Sequence, residues 1–413
     1  MAKGFGKANK SQKKRGKLSS LPKAIDCEEI QQKWVEHFDN LEDPRSKKGV
    51  LHPLMSIVMI AMLATISGAK GWEDIEIYGV SKECWLSSFL KLPFGIPTAD
   101  TYRRIFEKIE PSALEQSFNS WLSSVVEDLD AQVIPIDGKT VRGSYDRNNK
   151  KSALHLVSAW ASENRLFLGQ VKVESKTNEI KAIPILLELL DIAGCIITID
   201  AMGTQTRIAH QIKNQGADYI LALKANHPTL YQEVEQWFRE AQTSDFQGIE
   251  YTHDVRVESG HHRREKREVT AVALNQMGSL YKQAQWVGLQ TIVRVVRTRH
   301  LWNKTEREVM FYLSSLPPDA QRLGKAIRQH WSIENQLHWV LDVTFGEDSC
   351  RIRTGNAPEN IALLKRWSIN LLNQETSFKK STRQKARRAS MDSNYLLKVL
   401  NASIPLPSIP SEE

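Results

Sequence analysis

A chain of 413 residues, 41% hydrophobic and 25% charged, is too long for one simple core and has the balance of a soluble globular protein, so two or three structural units are expected. A formal net charge of +8 favours an anionic partner, nucleic acid first. Cys27, Cys84, Cys195 and Cys350 are scattered, which speaks against a zinc knuckle or a disulfide framework and suits a reducing cytoplasm.

Residues 1–25 carry Lys3, Lys7, Lys10, Lys13, Lys14, Arg15 and Lys17 among Gly, Ser, Asn and Gln, with no apolar core of a secretory signal. They read as a disordered basic arm, either solvated or laid on DNA phosphates. Residues 26–130 read as a helical accessory or DNA-binding domain. Ile30, Trp34 and Phe38 share one helix face. The apolar run Leu54 to Gly68 is shorter than the roughly 20 residues of a membrane span. It reads as a buried helix, and no membrane partner is expected. Pro97-Thr98-Ala99-Asp100 caps a helix carrying Arg103 and Arg104, an exposed pair or a DNA contact. Ser112 opens an amphipathic helix bearing Leu114, Phe118, Trp121, Leu122 and Val125.

From residue 131 the period becomes strand-like. Val133 to Ile136 reads as a strand ending at Asp137, and 153–161 and 166–173 as two more, joined by turns at 146–150 and 163–164. A polar helix start at 175–179 leads to a helix closed by Gly194. A strand at 196–199 then ends at Asp200, a helix covers 204–215, and a strand at 219–223 ends at Lys224. The order β-β-β-α-β-α-β predicts a mixed sheet flanked by helices. Residues 225–320 read as a β-rich insertion with basic faces that include Arg263 and Arg264; His261-His262 beside them reads as a basic surface loop. Asp319 is an expected N-cap, 358–372 a final long helix, and 376–413 a basic tail.

A carboxylate at a strand end is held rigidly with its oxygens outward, and two on neighbouring strands suit a hard divalent cation. Asp137 and Asp200 fit that design. Glu334, on a helix whose Trp331, Ile333, Leu337 and Trp339 are expected to pack against the sheet, would supply the third carboxylate. Each acid also has a plain structural alternative: Asp137 as a turn residue, Asp200 as a helix cap, Glu334 as a surface residue.

The motifs then become specific. IDGKTVRGS at 136–144, ITIDAMGTQ at 197–205, ALKANH at 222–227 and HWSIENQLHWVLDVTFGED at 330–348 resemble the DDE transposases of bacterial insertion sequences, in the H-repeat-associated (ISAs-type) subgroup. DPRSKKG at 43–49 and IPTADTYRRIF at 96–106 resemble that subgroup's accessory domain. The resemblance implies an α/β fold: an RNase H-like mixed sheet flanked by helices, with a β-rich insertion and an N-terminal helical domain, the catalytic domain spanning 131–375. It implies Asp137, Asp200 and Glu334 as catalytic residues and ligands of two ions, Mg2+ or Mn2+. It further implies cleavage of DNA strands at element ends, strand transfer into target DNA, a homo-oligomer in the synaptic complex and a cytoplasmic, nucleoid-associated location. Two other readings stay open: an inactive, domesticated DNA-binding relative, and a metal-dependent nuclease without strand transfer. The wider group's Tyr, Arg and Lys places around the last acid are Ile327, His330 and Leu341 here. Phosphate contacts are therefore expected from Lys139, Arg328, His330, Asn335 and His338. Glu347 and Asp348 rival Glu334 as the third acid.

Overall fold

The structure, a computed structural model, describes residues 32, 34–38, 40–46, 50–125, 129, 131–145, 152–173, 179–260 and 263–401. The basic arm at 1–25, the turn at 146–150, most of the polar helix start at 175–179 and the His261-His262 loop lie outside the described residues.

Helical residues at 34–37 precede α1 (Leu54–Ile66), α2 (Trp72–Ser81), α3 (Glu83–Leu86), α4 (Ala99–Phe106) and α5 (Pro111–Val125). Every residue of α1 from Ser56 to Ile66 is buried. A helix that is apolar on all sides must be enclosed by protein or lipid, and here it is enclosed by its neighbours. Among the described residues, no helix is long and apolar enough to cross a membrane.

Nine strands form one sheet: β1 (Val133–Val141), β2 (Leu154–Ala161), β3 (Leu166–Val173), β4 (Ile196–Ile199), β5 (Asp218–Leu223), β6 (Tyr251–Gly260), β7 (Arg263–Ala273), β8 (Thr291–His300) and β9 (Thr305–Ser314). Their order is β3-β2-β1-β4-β5-β9-β8-β7-β6. The first five make an RNase H-like core, with β1, β2 and β3 antiparallel and β4 and β5 joined parallel to β1. The β-rich insertion does not stand apart. Its strand β9 pairs antiparallel with β5, so β6 to β9 prolong the same sheet. Helices α6 (Glu179–Glu188) and α7 (Thr206–Asn214) connect core strands, and α8 (Pro228–Thr243) leads from β5 to β6.

The first strand is longer than expected. β1 runs on through Asp137 to Val141 because β2 continues to pair with it, from Ile136↔Ala159 to Val141↔Leu154. What stops at Asp137 is the parallel pairing with β4, whose last partners are Ile136↔Ile199. Asp137 therefore lies inside a strand, at the point where its neighbour leaves the sheet.

After β9, Asp319 caps α9 (Ala320–His330) by accepting from the amides of Gln321 and Arg322. One turn of π-helix (Ile333–His338) leads into α10 (Trp339–Val343). Then come α11 (Ala357–Gln374), α12 (Thr382–Met391) and α13 (Ser393–Asn401). Helix α11 is the shared spine of the molecule, buried at most positions from Ala357 to Leu372. Its Trp367 lies 5.6 Å from the Trp34 ring, 5.4 Å from Phe38 and 5.4 Å from Phe118. Helical unit and sheet thereby share one core, each close aromatic pair adding about 0.5–1.5 kcal/mol beyond its area. Within the run 376–401, expected as part of a basic tail, residues 382–391 and 393–401 form helices. A capping box of Ser381 and Gln384 opens α12. Buried Lys385 donates to the Leu372 carbonyl at 2.8 Å, satisfying the otherwise orphaned end of α11.

A candidate metal centre where the parallel pairing ends

Chain geometry brings the first two acids together. Past Ile136↔Ile199, the next residues of β1 and β4 are Asp137 and Asp200. The Asp200 Oδ1 accepts from the amides of Met202 at 3.0 Å and Gly203 at 3.2 Å, so it also serves the local turn. Asp137 Oδ1 accepts from the Gly138 amide at 2.8 Å. Burial pushes the Asp137 carboxyl up to about 6, and the charges of Asp200 and Glu179 push the same way, while His338 and the Gly138 amide oppose them.

The third corner comes from the π-turn. The Trp339 amide donates to the Glu334 carbonyl, five residues back, in place of the usual four. Such turns insert one extra residue into a helix and are frequent at functional sites. Here Glu334 and His338 end up together: His338 Nδ1 lies 3.0 Å from Glu334 Oε2 and 3.7 Å from Asp137 Oδ2. Ligand atoms of Asp137, Glu334 and His338 all fall within 4.8 Å of one another. The hydrogen bond from His338, helped by the charges of His338 and Lys139, holds the Glu334 carboxyl below its usual range despite its partial desolvation. Two carboxylates and an imidazole at this spacing form a donor set that fits a divalent cation.

The rival acids are engaged elsewhere. Glu347 is buried and paired with Arg366 at 2.6 Å. Asp348 lies 3.6 Å from Arg142 and 3.9 Å from Lys139. Neither is in the three-residue group.

The residues expected to touch phosphates divide. Lys139 is buried, and its ammonium is 2.8 Å from Asp342. His330 Nδ1 is 2.9 Å from Thr198 Oγ1. Burial pushes the His330 imidazole down to about 4 against the pull of nearby Asp200, so near neutral pH it carries no charge for a phosphate. His338 is 3% exposed. Asn335 and Arg328 are exposed, Arg328 lying 3.6 Å from Glu258. Arg103 and Arg104 are tied to Asp100 on their own helix, Arg104 at 2.6 Å. Arg264 is exposed on β7, opposite Ser259 and His300, and Arg263 opens the same strand.

Two tryptophans differ from expectation. Trp160 is buried, but Trp331 is 44% and Trp339 57% exposed. The inward positions go to Ile333, Leu337 and His338, and the two indoles, each two residues from one of these apolar positions, stand outside. Each lines a cleft beside Glu334. One cleft holds Arg267, Arg297, Arg299, Arg328 and Trp331, offset by Glu258 and Glu265. The other holds Arg165, Lys380, Arg383, Arg387 and Trp339, with no carboxylate in its lining. Asn335 belongs to both.

Sequence reasoning missed the support behind Asp137. His155 Nε2 bonds Glu179 Oε1 at 2.7 Å, and His155 Nδ1 bonds Thr140 at 2.8 Å. This buried pair presses on Gly138, where a Cβ would come within 2.5 Å of Glu179 Oε1. It also missed Asp342, the partner of Lys139. Nothing in the spacing of these residues signals that they meet across β1, β2, α6 and α10.

An RNase H-like sheet with acids gathered where its parallel pairing ends defines a class: a protein whose centre is a carboxylate cluster on a sheet edge. The particular family follows from comparison. Residues 123–371 match the family described as "Transposase DDE domain", residues 35–122 match the one described as "DDE_Tnp_1-associated", and the chain belongs to this transposase family. It is similar to "H repeat-associated putative transposase YhhI" of Escherichia coli K12, 37% identical over 375 residues, 90% of this chain and 98% of that one. It is similar also to "H repeat-associated putative transposase YbfD" of the same organism, 42% identical over 206 residues, 50% of this chain and 81% of that one. Among solved structures it is similar to piggyBac transposase in a synaptic complex with hairpin DNA. There the TM-score is 0.41 and identity 12%, covering 94% of this chain and 82% of that one.

Proposed function

We propose that this chain is an active DDE transposase that cuts DNA strands at element ends and joins them to target DNA. The observation supporting the reading is that Asp137 and Asp200 directly follow the last paired residues of two parallel strands, and that Glu334 lies with His338 beside Asp137. Asp137, Asp200 and Glu334 would hold two divalent cations, Mg2+ or Mn2+. Cations held there would polarise the phosphodiester, favour the deprotonated nucleophile and offset developing charge. The remaining work falls to the chain. The buried His155–Glu179 pair and Gly138 fix the backbone that carries Asp137. Lys139 neutralises nearby acids from inside, and the exposed Glu334 adjoins Asn335, which lines both clefts by which DNA would approach. In the reaction proposed, water cuts one strand, and the freed 3′-hydroxyl then attacks target DNA in the same centre.

The two clefts flanking Glu334 support DNA as the partner. Their guanidinium and ammonium groups suit phosphates. Two element ends engaged at once would call for a homo-oligomer.

A strand-transfer assay on paired element ends, with Mg2+ or Mn2+, tests the reading. Wild-type protein should cut and join, while Asp137→Ala should lose both yet bind the ends normally. Cutting without joining would leave a nuclease. Binding without cutting by the wild type would leave a DNA-binding relative, and a cutting Asp137→Ala variant would refute the site.

A further inference from the structure

We infer that His338 is itself a metal ligand, so that one ion in this centre is held by mixed oxygen and nitrogen donors and prefers Mn2+ or a related transition ion to Mg2+. The inference rests on the reading of this centre as an ion site. Three observations carry it. His338 is 3% exposed and so withdrawn from any DNA phosphate. Its Nδ1 faces two carboxylates, 3.0 Å from Glu334 and 3.7 Å from Asp137, which is a ligand position and not a DNA-facing one. Its other nitrogen, Nε2, is buried with no partner among the described residues, so nothing on that side fixes the ring tautomer. A neutral ring with its proton on Nε2 leaves the Nδ1 lone pair directed between the two carboxylates.

The local fold explains why this nitrogen is available. In the π-turn Glu334 and His338, four residues apart, meet side by side, His338 buried and Glu334 exposed, and Leu337 and Ile333 lock the turn into the core. Asp200 is absent from the three-residue group, its Oδ1 taken up by the amides of Met202 and Gly203. The centre is therefore lopsided: nitrogen and two carboxylates on one side, Asp200 on the other. Magnesium takes oxygen ligands and gives up water reluctantly. Transition ions accept imidazole readily, with affinity rising along the first row. The side holding His338 should discriminate between them.

The test is pulsed electron paramagnetic resonance of Mn2+ bound to the full chain, with calorimetry of Mn2+ and Mg2+ binding. Wild-type protein should show nitrogen modulation of the manganese signal, altered when histidine is labelled with 15N. His338→Gln, which can still donate to Glu334, should lose that modulation. It should also weaken Mn2+ binding by at least about tenfold, the loss typical even of an outer-shell partner, and leave Mg2+ binding nearly unchanged. A His330→Gln variant is the control for the other nearby imidazole. Manganese that binds with no nitrogen modulation in the wild type, or modulation that vanishes in His330→Gln and survives in His338→Gln, overturns the inference and leaves the ion site standing. Absence of any Mn2+ or Mg2+ binding overturns both.

Discussion

The Glu347 carboxylate meets the Arg366 guanidinium at 2.6 Å, with both side chains closed off from solvent. This pair joins α11 to the loop after α10 and removes a glutamate that lies only 13 positions beyond Glu334 from contention for the metal centre. Removing one member of a buried pair strands the other charge and typically costs about 3–5 kcal/mol. Glu347→Ala should lower stability by that order in urea denaturation, whereas Glu334→Gln, at an exposed position, should change it by under about 0.5 kcal/mol. Equal effects would mean that the two acids have been assigned to the wrong roles.

Asp137 gives a pH dependence of definite sign. Its folded pKa of about 6 stands above the ordinary 3.8, so in the metal-free protein the folded state holds its proton longer than the unfolded chain. Stability attributable to this group is full below about pH 4 and is lost as pH rises toward 6. Burial and the charges of Asp200 and Glu179 disfavour its ionised form, and His338 with the Gly138 amide offsets them only in part. Asp137→Asn should therefore match wild type near pH 4 and exceed it by up to about 2–3 kcal/mol at pH 7, less where solvent screens the group. Denaturation midpoints across that range check this. A gap that shrinks with rising pH would contradict it.

Gly138 is confined by neighbours that cannot yield. A Cβ there would lie 2.5 Å from Glu179 Oε1 and 2.9 Å from His155 Nε2, two atoms already bonded to each other in the interior. Gly138→Ala should cost about 1–3 kcal/mol through overpacking. It should also impair strand cleavage more than DNA binding, because it displaces the backbone beside Asp137. Full cleavage by a stable variant would show that this support is dispensable.

For DNA affinity, the free cations matter more than the paired ones. Lys380 and Arg383 line a cleft without acids, while Arg104 is held by Asp100. Lys380→Ala and Arg383→Ala should each weaken binding across sequences and make the salt slope shallower by roughly one. Arg104→Ala should do far less. Binding isotherms at several salt concentrations decide between them, and a larger effect at Arg104 would move the DNA path to the helical unit.

Much of the fold was legible because its signals are local. Alternating apolar runs gave β2, β3 and β4 nearly to the residue, and Asp319 marked its helix as a cap does. The extent of β1 was hidden, because pairing with β2 past Asp137 is a long-range fact that residues 137–141, which include glycine and lysine, do not announce. The inward place of His338 and the outward place of Trp331 and Trp339 were hidden for another reason. Tryptophan is a large apolar side chain that composition alone assigns to the core, yet Trp331 stands two residues before Ile333 and Trp339 two after Leu337, a spacing that does not share a helix face. The helix at 382–391 was masked by its charge, since its buried lysine at 385 serves carbonyl oxygens in the interior.

The π-turn has one more consequence. An α-helix advances about 100° per residue, so a turn holding one residue too many shifts the phase of everything after it. Between Trp331 and Trp339 the chain is therefore constrained in length more strictly than in spelling. Substitutions there can be absorbed one side chain at a time. Deleting one residue among 335–337 would restore regular winding with the downstream helix in place, shorten the Glu334–His338 spacing from four residues to three and carry the imidazole of His338 away from its carboxylates.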